Sequence, residues 1–129
     1  MIIQSQFILY VSNQKKSTGF YQKVLQLVPC LNVPGMTEFK LSENTKLGLM
    51  PETGIAKILQ NKTPHPTTGT GIPRCELYLL LDDVAPYIKR AFKNGAKIIS
   101  PLHEMDWGDK VAYFSDPDGH IIAFAEKIN

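Results

Sequence analysis

Several kinds of chemistry are missing from this 129-residue chain. It has only two cysteines, Cys30 and Cys75, with no C-x-x-C spacing. A zinc ribbon and a disulfide framework are therefore not expected, and two reduced thiols are. No apolar run approaches the ~20 residues of a membrane helix. The opening MIIQSQFILYV has neither the basic start nor the small-residue cleavage site of a secretory leader, so a cytoplasmic protein with no membrane partner is expected. Basic and acidic residues nearly cancel, 14 against 12, and no Lys/Arg block stands out. Nucleic acid is accordingly not an expected partner. Ser/His/Asp, Cys/His and phosphate-loop constellations are absent, which removes most other enzyme classes. His65, His103 and His120 fall in a linker, a loop and a turn, without ligand spacing. Asp116 and Asp118 begin like a calcium loop that nothing completes, so DPDG is read as a hairpin turn.

What is present is a repeat. FILYV (7–11) has the apolar, β-branched character of a strand and is followed by the helix-capping candidates Ser12 and Asn13. Phe20, Tyr21, Val24 and Leu25 then recur at helical spacing. About 70 residues later ELYLLL is followed by Asp82 and Asp83, and Val84, Ile88, Ala91 and Phe92 form the second apolar helix face. Pro86 falls in that helix's first turn and Asn94-Gly95 stops it. Short strands are expected around 30–33, 36–41 and 45–50 after the first helix, and around 97–99, 109–114 and 120–126 after the second. The class is α+β, two β-α-β-β-β modules in one domain spanning 1–129. Module 1 covers 1–51 and module 2 covers 74–129. Between them, 52–73 opens on a candidate short helix and becomes a Pro/Thr/Gly-rich linker.

Strand side chains alternate between faces. Leu77, Leu79 and Leu81, like Phe7, Leu9 and Val11, suit packing against helices. The other face carries Arg74, Glu76, Tyr78 and Leu80 in one module and Gln6, Ile8 and Tyr10 in the other. If the two sheets pair, these faces line a shared concave cleft. Aligning the last strand of each half, TKLGLM with HIIAFA, sets Gly48 opposite Ala123, small residues on otherwise bulky strands.

The ordered pieces VSNQKKSTGFYQKVL, ELYLLLDD, AFKNGAKII and YFSDPDGHIIAF together resemble the vicinal oxygen chelate superfamily of glyoxalases, bleomycin-resistance proteins and extradiol dioxygenases. The resemblance spans nearly the whole chain. It implies paired βαβββ modules and a homodimer with two clefts. Metal-dependent members place ligands on the first, fourth, fifth and eighth strands, which here are Gln6, Gly48, Glu76 and Ala123. Two of these have no side-chain donor, so no metal and no other cofactor is expected.

The expected partner is instead a small molecule. A wall of Ile121, Ala123, Ala125, Gly48 and Met50 is expected to be roomy and mostly apolar, with Gln6, Tyr10, Arg74, Glu76 and Tyr78 supplying polar groups. Glu76 has two readings: a carboxylate exposed or paired with Arg74, or the catalytic general base or weak metal ligand of a glyoxalase-like lyase or isomerase. Trp107, the only tryptophan, lies in a segment that the resemblance places near the cleft mouth, where it either stacks on a flat ligand or covers the core or the dimer contact. Glu104, Asp106 and Asp109 beside it read as a solvated loop, or else as an acidic mouth attractive to cationic ligands. The function expected is metal-independent binding of an aromatic or cationic drug or toxin.

Overall fold

The apolar segments that open each repeat form strands, and the polar residues after them start helices. The computed structural model describes residues 1–129. The chain divides into two compact units, Met1–Thr70 and Gly71–Asn129. The first contains β1 (Ser5–Val11), α1 (Gln14–Leu25), β2 (Leu31–Val33), β3 (Met36–Ser42), β4 (Thr45–Pro51), α2 (Glu52–Leu59) and a 3-10 turn at Pro66–Gly69. The second contains β5 (Glu76–Leu80), α3 (Ala85–Lys93), β6 (Lys97–Glu104), β7 (Asp109–Ser115) and β8 (Ile121–Lys127). Each unit builds one four-stranded mixed sheet, in the orders β1-β4-β3-β2 and β5-β8-β7-β6. The pairs β1–β4 and β5–β8 are parallel, and the remaining neighbours run antiparallel.

In the first unit Asn13 caps α1, its side chain accepting from Lys16 N at 3.0 Å. The helix buries Phe20, Tyr21, Val24 and Leu25, at the spacing read from the sequence. Val11, Phe39, Leu47 and Leu49 complete the core from the strands. Phe7 departs from expectation: it shares the face of Leu9 and Val11 yet is 69% exposed. β1 is an edge strand, and Phe7 lies toward its N-terminal end.

In the second unit the start of α3 is tied down by two carboxylates. Asp83 accepts from Ala85 N at 3.1 Å, and Glu126 accepts from Val84 N at 3.0 Å. Gly95 leaves the helix at φ +82°, a conformation side chains resist. Phe114 meets Phe92 edge-on at 5.3 Å and Phe124 at 5.8 Å, while Ile122 and Ala112 are buried beside them. β6 is longer than expected. The sequence reading ends it at 99, ahead of Pro101, but it continues to Glu104 with register shifts on both sides of Ser100. An edge strand tolerates a proline because half its N–H groups face no neighbour. His103 therefore stands on a strand, not in a loop. No helix is long and apolar enough to cross a membrane.

Candidate functional site

Register brings the sequence-predicted residues of the first unit onto one sheet face. Gln6, Ile8 and Tyr10 stand beside Lys46, Gly48 and Met50, and Glu38 of β3 pairs with Gly48 from the other side. The gap expected at Gly48 is filled. A Cβ there would lie 2.6 Å from Gln6 Nε2 and 2.6 Å from the Met36 methyl carbon. Gln6 reaches across β4 at the glycine, and its amide donates to Glu38 Oε2 at 2.9 Å. Lys46 Nζ lies 3.4 Å from the other Glu38 oxygen. On the same face Tyr10 is exposed and Met50 partly buried.

The second unit repeats this arrangement with other chemistry. Tyr78 pairs with Ala123 and Leu80 with Ala125. Ala123 is fully buried, in a cluster with Val111 and Ala125 against which Met105 and Tyr113 pack. No open wall surrounds it, contrary to expectation, because larger neighbours cover the small side chain. Tyr78 extends across β8, the strand between β5 and β7, and donates to Asp109 Oδ2 at 2.5 Å. Trp107, in the β6–β7 connection, donates its indole N–H to the Tyr78 hydroxyl at 3.0 Å. Asp109 is only 4% exposed, with Lys127 Nζ 3.3 Å from its Oδ1. That oxygen is buried and has no hydrogen bond. The Tyr78 hydrogen bond, with help from Lys127, holds the Asp109 carboxyl below its ordinary range. Burial, then the Asp109 bond, pushes the Tyr78 hydroxyl up. Burial likewise raises Tyr113, with the charge of Glu76 adding to it.

Asp109 is thus not part of a solvated acidic loop: it opens β7 and is consumed by Tyr78 and Lys127. Glu76 is exposed at the first position of β5. Arg74 precedes that strand, exposed, and forms no ion pair with Glu76. Trp107 is 54% and Tyr78 38% exposed, so the pair offers aromatic surface to solvent. Glu38, Asp109, Met105 and Tyr113 escaped the sequence reading as site residues. Alternation along TEFKL would have put Glu38 on the Gly48 face, but nothing in the sequence reports the bond from Tyr78 to Asp109. Asp116, Asp118 and His120 also converge, with ligand-type atoms within 4.8 Å of one another. Asp116 there accepts from the N–H groups of Asp118 and His120, which builds the hairpin turn. A recess of about 370 Å³ at the start of α1, lined by Gln14, Lys15, Thr18, Asn32, Val33 and Pro34, includes none of the predicted site residues.

A metal of the glyoxalase type does not fit these residues. Gly48 and Ala123 have no donor, and the space at Gly48 is taken by the Gln6 amide. Glu38, which pairs with Gly48 across the strands, is already bonded to Gln6 and paired with Lys46.

The model of the glyoxalase-like domain family matches residues 4–129. An uncharacterized Mycobacterium bovis protein is 26% identical over 115 residues, covering 87% of this chain and 75% of that one. A glyoxalase-related enzyme from Fulvimarina pelagi superposes with a TM-score of 0.81 at 20% identity, over 95% of this chain and 86% of the other. TnmS3, an antibiotic binding protein from Streptomyces sp. CB03234, superposes with a TM-score of 0.71 at 25% identity, over 97% and 95% of the two chains.

Proposed function

The chain belongs to the glyoxalase-like domain family, and from that membership we propose that it is a metal-independent binding protein for a flat aromatic or cationic small molecule. One observation carries the reading. The Trp107 indole is fixed by its N–H yet half-exposed, on the same unit as the exposed and unpaired carboxylate of Glu76. A rigid indole face can stack on a planar ligand at small entropic cost, and Glu76 adds attraction for a cation. The antibiotic binding of the similar Streptomyces protein supports sequestration, which needs no catalytic group. A second reading, a lyase or isomerase with Glu76 as base, is supported by the likeness to a glyoxalase-related enzyme. It is the weaker one, because no hydrogen bond orients Glu76. A cytoplasmic homodimer is part of the same proposal; the apolar side chains of Ile8, Tyr78 and Leu80, left exposed on the two sheets, support it.

The test is titration of the purified protein with proflavine, a flat cation, and with neutral acridone, following Trp107 fluorescence. Saturable quenching at one ligand per site is expected. Trp107→Ala should weaken binding by about tenfold or more. Glu76→Gln should weaken proflavine by about two- to fivefold and leave acridone unchanged. If neither compound quenches saturably, the reading fails.

A further inference from the structure

The hydrogen-bond chain in the second unit uses up every polar hydrogen of its aromatic pair. The Trp107 indole has one N–H, and it is spent on the Tyr78 hydroxyl at 3.0 Å. The Tyr78 hydroxyl has one hydrogen, and it is spent on Asp109 Oδ2 at 2.5 Å. Asp109 ends the chain inside the protein, 4% exposed, with Lys127 as counter-ion at 3.3 Å. Because a buried carboxylate accepts and cannot donate, the direction of every bond is set from the buried end outward.

We propose that Asp109 is a positioning residue that orients Tyr78 and, through it, the Trp107 indole, so that the pair presents π faces without a free donor and selects planar apolar or cationic groups over hydrogen-bond acceptors. The inference rests on the small-molecule reading and names the ligand class of that site. Its geometry explains why β8 carries alanines where Tyr78 crosses it: Ala123 and Ala125 are both fully buried. A longer residue at either place would stand in the path from β5 to β7. It also explains why Trp107, on a connection between strands, has a defined orientation while half its surface stays exposed. An acceptor-rich ligand ring would have to break an existing bond to gain one here, while a cation over the rings would lose nothing.

As the chain's only tryptophan, Trp107 reports on the device directly. Time-resolved fluorescence anisotropy and acrylamide quenching are measured without ligand on the full chain, on Tyr78→Phe and on Asp109→Asn, with far-ultraviolet circular dichroism confirming the fold. Tyr78→Phe keeps the ring and removes both bonds, so indole mobility and the quenching constant should rise, the latter by about twofold or more, given a lost bond of ~1 kcal/mol. Asp109→Asn should shift both readouts the same way and by less, since an amide oxygen still accepts. If Asp109→Asn does not fold, Tyr78→Phe decides alone. Unchanged anisotropy and quenching in a folded Tyr78→Phe would overturn the proposal, whatever binds. Proflavine and acridone titrations then test selection: Tyr78→Phe frees the indole N–H, so the preference for the proflavine cation over acridone, which carries a carbonyl acceptor, should fall by about three- to tenfold. An unchanged ratio of the two affinities there overturns the selection. Failure of the unaltered protein to bind either compound sinks the binding reading, while the ligand-free anisotropy result still judges the orientation of Trp107.

Discussion

At the scale of single residues, the two small side chains on the central strands act as crossings. Gly48 lets Gln6 pass over β4 to Glu38, and the alanines of β8 lie under the path of Tyr78 to Asp109. In each unit an outer strand thereby binds a carboxylate two strands away. The Gly48 crossing is measurable because three side-chain atoms stand within 3.0 Å of where its Cβ would be. Gly48→Ala is expected to cost about 1–2 kcal/mol in urea unfolding, as overpacking does. In a Gln6→Ala background most of that cost should vanish, since the amide that must move is gone. Strict additivity of the two changes would show that Gln6 does not occupy the glycine's space.

At the scale of elements, the β7–β8 hairpin is zipped at its open end by two cross-strand pairs. Asp109 meets Lys127, and Lys110 meets Glu126 at 3.0 Å. The second pair faces α3, where Glu126 also accepts from Val84 N. Both carboxyls are held below their ordinary values, Asp109 chiefly by Tyr78 and Glu126 chiefly by Lys110. A carboxyl with a folded pKa below its unfolded one contributes stability that is whole above the unfolded value and is lost as pH falls through the folded value. Stability should therefore hold down to about pH 4 and drop below it. Asp109→Asn and Glu126→Gln should each flatten this acid limb in urea titrations between about pH 5 and pH 2. An acid limb with the same slope in both variants would refute the assignment. Lys127 is largely exposed, so added salt should weaken its share first.

At the scale of the whole molecule, Gly48 and Ala123 leave a glyoxalase-type metal without two of its donors, and the proposed metal-independent binding role predicts what the intact protein carries. Native mass spectrometry after gentle purification is expected to give twice the 14.5 kDa chain mass, with no stoichiometric zinc, nickel or iron. One metal per chain would overturn the metal-independent reading, and a chain-mass species alone would overturn the dimer. The repeat, the class and the strand faces were legible in the residues. Period-2 and period-3.6 patterns are local, and Asn13, Pro86 and Gly95 mark boundaries through their own backbone chemistry. The resemblance to metal-bearing relatives was legible too, along with the two missing donors at Gly48 and Ala123. What filled the space beside them was not. Sequence alternation assigns a side chain to a face, but its length, its tilt and the register of two further strands decide which atom it meets. Gln6 bonded to Glu38, and Trp107 fixed through Tyr78 to Asp109, are contacts across 29 to 32 residues of chain. Only the packed sheets, where a buried carboxylate must find donors, could decide them.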